Sequence, residues 1–308
     1  MTTIANQSAP AATRRTRRRR FGAGVGVWLF ALPALIAYVA FLVSPALQSI
    51  WISFTDWNGI SPTKNFVGLQ NYLALFQDPT ALLAMRNNVL WTIVTVTIPV
   101  VLGLLLAIFL NGATRFKPFL RTVFYMPAVL PLVSIATIWS WLYNPSQGAI
   151  NVFLRDLGLG ALAQSWLGQN STALAATMVP AVWVATGFPM LIYLAALQGI
   201  PEELYESART DGATSWQLFW NITFPGLRSA NYIVLALSLI GSFKVFDIIF
   251  AMTDGGPGNQ TQVLGTWTYF NIFQFYHAGY GAAIAVFVTI IAVACGIPYV
   301  ISQIREES

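Results

Sequence analysis

The chain has 308 residues, of which 56% are hydrophobic and only 9% are charged, and its mean hydropathy is +0.63. A soluble domain carries about 25% charged residues, so an ordinary cytosolic enzyme and a disordered chain are both excluded. What remains is an all-α, polytopic membrane protein, in which the placement of the cations says more than the net charge of +5.

Residues 1–24 form an Arg-rich tail with six arginines, Arg14, Arg15, Arg17, Arg18, Arg19 and Arg20. A crossing helix needs ~20 mostly apolar residues to traverse ~30 Å of hydrocarbon. Six segments qualify, roughly 25–52, 87–111, 121–143, 171–198, 229–251 and 280–302. The first is too long for a cleaved signal peptide and has no A-x-A-like end, so it reads as an uncleaved anchor. Pro33, Pro99, Pro127, Pro131, Pro180 and Pro189 fall inside these segments. Neighbouring helices in a bundle can satisfy the carbonyls they free.

With the N-terminus inside, inner segments hold those six arginines and Arg115, Lys117, Arg121, Arg209, Arg228 and Arg305. Outer segments hold only Lys64, Arg86 and Arg155. The excess of inner cations predicts that both termini are cytoplasmic. The external segments are then 53–86, 144–170 and 252–279, and residues 66–76 suit an interfacial helix.

The inner loop 199–228 between the fourth and fifth crossings is structured. Pro201 suits a first helical position, Glu202 and Glu203 favour the first turn, and Gly212 suits a left-handed cap. Thr214-Ser-Trp-Gln217 has the capping-box pattern and should open a second helix through Leu218, Phe219, Trp220 and Ile222 that Pro225 stops. By periodicity alone this could be a hairpin lying on headgroups or a docking surface.

The order Glu206-Ser-Ala208, three residues, Gly212, nine residues, Ile222-Thr-Phe-Pro225 resembles the EAA motif of permease subunits of binding-protein-dependent ABC importers. That motif reads E-A-A-x3-G-x9-I-x-L-P. Ser207 and Phe224 depart from it mildly. Phe66-Val-Gly-Leu-Gln-Asn-Tyr72, Asp211-Gly-Ala213 and Thr253-Asp-Gly-Gly-Pro257 with Thr261 are similar to the carbohydrate branch. The resemblance implies the type I permease fold, with a permease domain over 25–308. It also implies a coupling loop in which Glu206, Ser207, Ala208, Asp211, Gly212, Ile222 and Pro225 meet an ATP-hydrolysing subunit. Its implied partners are a second, homologous permease forming a heterodimer, two ATPase subunits that hold ATP and Mg, an external solute-binding protein and the bilayer of a prokaryotic cell membrane. Nucleic acid is not among them.

The chain itself offers no catalytic set. Its three lysines, Lys64, Lys117 and Lys244, do not follow a glycine, so it has no phosphate-cradling P-loop. His277 reads as an outer surface residue and Cys295 as packing in the sixth crossing, so neither cofactor nor metal is expected here. Lys244 and Asp247 lie three apart in the fifth crossing, on one helical face. Central charges cost ~2.5–3.5 kcal/mol, so the two either pair or line a wet path. Ser238 and Ser242 either bond back to their own helix or face that path, where Trp183 and Phe188 could offer rings to a sugar. The rival reading is an ion-coupled secondary transporter, for which Asp247 is the one candidate coupling carboxylate.

Overall fold

The computed structural model describes residues 23–112 and 116–307, with side chains described for 30–112 and 116–297. The expectations for Arg14 to Arg20 and for Arg115 lie outside the described residues, as does the side chain of Arg305. The chain divides into two units, Met1–Gln48 and Ser49–Ser308. In the first, α1 (Ala23–Tyr38) contains Pro33, and a π-helical turn at Val39–Val43 leads into α2 (Ser44–Ile52), which runs across the unit boundary.

The second unit continues through α3 (Gln70–Leu75), α4 (Pro79–Asn111), α5 (Lys117–Val129), α6 (Leu132–Leu142), α7 (Ala149–Asp156), α8 (Ala173–Leu197), α9 (Glu202–Thr210), α10 (Ser215–Leu218), α11 (Phe224–Gly226), α12 (Arg228–Phe243), α13 (Asp247–Thr253), α14 (Leu264–Tyr269) and α15 (Ala278–Glu307). Among the described residues the only β pairing is a bridge between Thr55 and Phe66. Phe30–Ile52, Pro79–Asn111, Ala173–Leu197 and Ala278–Ile297 are each long and apolar enough to cross a membrane, and the number rises to six if two bent helix pairs each count once.

The expected crossing at 121–143 is bent rather than straight: α5 and α6 meet at 99°. Pro131 supplies no N–H, and the residue before a proline is driven out of the helical region. Leu130 accordingly sits at φ −75°, ψ 144°. Pro99, Pro180 and Pro189, by contrast, lie inside unbroken helices.

The centre of the second unit is the α4–α8 pair. Asp78 caps α4 by accepting from the Thr80 amide at 2.8 Å, with Pro79 at the first helical position. Gly103 meets Pro189 and Met190, and a Cβ there would lie 2.6 Å from the Pro189 Cβ. Small residues let membrane helices pack backbone to backbone. Gly187 serves α5 in the same way, opposite the Phe124 carbonyl. Ala107, Leu110, Met190, Tyr193, Leu227 and Val234 close the core below.

The external motif at 66–72 has a structural purpose. Gly68 has φ +62°, and Asn71 Nδ2 donates to the carbonyls of Ser53 and Thr55 at 2.9 and 2.8 Å. Tyr72 and Ser53 share a 2.7 Å hydroxyl contact. Donation from the Asn65 side chain, then from its backbone amide, holds the Asp56 carboxyl below its ordinary range. The interfacial helix contracts to α3, with Leu69, Leu73 and Phe76 exposed and Leu75 buried.

Candidate functional site

The expected fifth crossing at 229–251 is two helices. α12 ends at Phe243 and α13 starts at Asp247. Phe246 between them sits at φ −152°, ψ −64°. Lys244 and Asp247 therefore do not share a helical face, and no ion pair joins them. Lys244 is the C-cap of α12, and Asp247 opens the first turn of α13. Cations are favoured at helix C-termini and carboxylates at N-termini. Of the two readings, pairing or lining a wet path, the break removes the intrahelical pair and sets each charge at a helix end that favours it.

The bend costs backbone hydrogen bonds, and α14 packs against it. Gly265 passes so close to the Val245 carbonyl that a Cβ would stand 2.6 Å from it. Trp91, Ala136, Met178, Val245, Ile248, Ile249 and Val263 form one buried cluster around this point.

A cavity of about 390 Å³ opens at the break. Phe188, Ser238, Ser242, Lys244 and Asp247 line it together with Trp91 and Thr95. Lys244 and Asp247 are exposed, and Ser242 is buried. The Ser242 hydroxyl donates to the Leu239 carbonyl at 2.7 Å, so its oxygen lone pairs remain to accept from another donor. Trp183 lies outside the cavity wall. It packs edge-on against Trp139, with ring centroids 6.0 Å apart, because the α8 turn that carries Phe188 inward turns Trp183 away. The contributions of Trp91 and Thr95 were missed. The legible signal was Asn87-Asn88 just before them, a polar pair inside an otherwise apolar crossing.

The 199–228 segment is a second candidate surface. α9 carries Glu206, Ser207 and Ala208 and ends at Asp211, its C-cap. Gly212 follows at φ +82°, with nothing within 4 Å of where a Cβ would stand. Thr214 and Gln217 make the expected capping box. Pro225 does not stop the second helix. A π-helical turn at Phe219–Thr223 precedes it, and Pro225 falls in the first turn of α11. The wide turn relieves the clash that a helical proline makes with the carbonyl four residues back. The chain turns instead at Leu227, where the two helical stretches meet at 67°. Tyr205 and Thr223 tie α9 to the π turn through hydroxyls 3.0 Å apart. Ile222 is half-buried, while Glu206, Ser207, Asp211, Gly212 and Pro225 are exposed.

Trp216, Phe219, Trp220 and Phe224 gather into a ring cluster with centroid spacings of 5.1–6.4 Å. Trp216 is 70% exposed. His277 is exposed, and so is Cys295, which does not pack in the sixth crossing as expected. No group of three metal-ligating side chains occurs among the described residues.

Residues 99–303 match the family described as binding-protein-dependent transport system inner membrane components. A probable ABC transporter permease of Bacillus subtilis is 38% identical over 269 residues, covering 87% of this chain and 92% of that one. The trehalose/maltose transport system permease of Thermococcus litoralis is 33% identical over 281 residues, covering 91% and 94%. Among solved structures, a bacterial ABC transporter involved in import of the acidic polysaccharide alginate has a chain that superposes with a TM-score of 0.80 at 24% identity. The match covers 91% of this chain and 96% of that one, and at this identity the likeness speaks for the fold.

Proposed function

The chain belongs to the inner membrane components of binding-protein-dependent transport systems, and on that premise we propose that it carries a sugar through the cavity at the α12–α13 break. It is a transmembrane permease subunit of an ABC importer, and the ion-coupled alternative falls with that membership. The observation that carries the reading is the cavity itself. It combines the Phe188 and Trp91 rings, the Ser238 and Ser242 hydroxyls and the charged tips of Lys244 and Asp247 beside an interrupted membrane helix. Interrupted helices are where transporters place polar groups at membrane depth. A sugar needs both apolar ring faces and hydroxyl partners, and a trehalose/maltose permease among the relatives favours that class.

The rest of the proposed assembly follows from the 199–228 segment. Both termini are cytoplasmic, on the strength of the cation distribution. α9 and Gly212 then face the cytoplasm, with Glu206, Ser207, Asp211 and Gly212 exposed. Glu206, Ser207, Ala208, Asp211, Gly212, Ile222 and Pro225 seat the segment in one of two ATPase subunits, which hold ATP and Mg. A second, homologous permease completes the path in a heterodimer, and an external binding protein delivers the solute. The subunit itself performs no covalent chemistry and needs no cofactor.

Uptake of a panel of labelled sugars into vesicles carrying the whole transporter tests the reading. ATP-dependent uptake should occur for at least one sugar, and Ser238→Leu with Ser242→Leu should change which sugars compete. An unchanged competition pattern in both variants would remove these serines from the path.

A further inference from the structure

The segment between α13 and α14 is built more tightly than a connecting loop needs to be. Thr261, fully buried, donates its hydroxyl to the Gly256 carbonyl at 2.7 Å and shares a 2.8 Å contact with the Thr253 hydroxyl. Gln262 is 1% exposed. It lies over Gly255 and accepts from the Thr266 hydroxyl at 2.6 Å. Positive φ at Asp254, Gly255, Gly258 and Asn259 folds the segment back on itself. A loop exposed to water would not need to bury this much polar chemistry.

Two residues of α4 hold the segment from the side. Asn87, 3% exposed, spends both donors of its amide on it, giving to the carbonyls of Gln260 at 2.9 Å and Gln262 at 2.8 Å. Asn88 accepts from the Leu264 amide at 2.7 Å and so fixes the start of α14. Its own Nδ2 is buried without a partner. Trp91, one turn further along α4, lines the cavity. With the N-terminus inside, α4 enters the membrane from the outer side at Pro79, so the Asn87–Asn88 level is one turn outward of the cavity. Val263 packs into the same cluster as Trp91, Val245 and Ile248, and Gly265 touches the Val245 carbonyl. The segment and the broken crossing are thus in mechanical contact.

We propose that residues 254–264 close the outer end of the cavity, and that Asn87 and Asn88 are positioning residues that latch them to α4. This rests on the reading that the cavity is the solute's path. Asn87 is the main latch, because it alone binds two carbonyls of the segment. The unpartnered amide of Asn88 belongs to an arrangement in which the segment has shifted and an acceptor comes within reach. A buried donor left open opposes the closed state and makes its release easier.

The test uses the whole transporter in membrane vesicles, with Cys295→Ala removing the native thiol and Ala185→Cys placing a probe in the cavity wall. A membrane-impermeant maleimide is applied from outside in right-side-out vesicles and from inside in inverted ones. Without ATP the probe should react slowly from outside. Asn87→Asp keeps the side-chain size but as a carboxylate donates to neither carbonyl, and if protonated to at most one. It should raise the outside rate about tenfold or more, as expected for two lost hydrogen bonds, and leave the inside rate unchanged. Thr261→Val cuts the segment's own closure without touching α4 and should act in the same direction, which covers the case in which Asn87→Asp fails to fold. A purely structural role would raise both rates alike or neither, and either result overturns the latch. Labelling during ATP-driven turnover separates the two ideas. A probe labelled in turnover but indifferent to both variants sinks the latch alone, and a probe never labelled from either side sinks the path reading and the latch with it.

Discussion

At Gly265 a missing side chain sets the shape of the candidate site. A methyl there would stand 2.6 Å from the Val245 carbonyl, so Gly265→Ala must push α14 away from the α12–α13 break. Overpacking of this kind costs about 1–3 kcal/mol. The variant should melt several degrees below the parent in detergent, by intrinsic fluorescence, and should lose uptake. An unchanged melting point would mean that α14 does not brace the break. Composition could not foretell this, because the clash depends on where a carbonyl 20 positions earlier in the chain comes to rest. Lys244 and Asp247 teach the same lesson. Their three-residue spacing read as one helical face. The local backbone instead set each charge at the helix end that stabilises it. Ser238, Ser242 and Phe188 were legible as polar or aromatic exceptions in apolar helices. Trp183 was not distinguishable from Phe188, since facing depends on packing against Trp139.

Elements were easier to read than their interruptions. Hydropathy placed α8 and the C-terminal end of α4 within two residues and the start of α15 within two, but α4 begins at Pro79, eight residues before the expected 87, and capping chemistry placed α9 and α10. The two bends were missed because apolar content stays high through both of them. Pro131 carried a usable signal for the first. The Lys244–Phe246 break carries no proline or glycine of its own. α4 and α8 also illustrate how a bilayer changes the rules. Without a hydrophobic drive between helices, their contact depends on close backbone approach at Gly103. Gly103→Val would force the pair apart at Pro189 and Met190. Membrane insertion should persist while the folded, detergent-stable form falls sharply, as gel filtration of the solubilised protein would register. A monodisperse, fully stable variant would mean that the two helices can separate without cost.

For the whole molecule, the sequence pointed to the membrane class, the helical architecture and the importer family, because each rests on composition or on motif spacing along the entire chain. Partner contacts lie at another level, since the surface proposed to make them is exposed in this chain by itself. Gly212 offers the sharpest test of that proposed surface. At φ +82° it strongly favours glycine, though aspartate is among the residues that tolerate the left-handed region. Beyond its chain neighbours, no atom of the described residues stands within 4 Å of a Cβ there. Gly212→Asp should therefore leave the fold and its insertion intact, and any loss must arise against a partner. The decisive measurement is paired uptake and ATP hydrolysis by the reconstituted transporter carrying Gly212→Asp. Coupling through the 199–228 segment predicts that solute-stimulated hydrolysis and uptake are both lost while the subunit remains in the membrane at normal levels. Normal uptake with normal stimulated hydrolysis would contradict it.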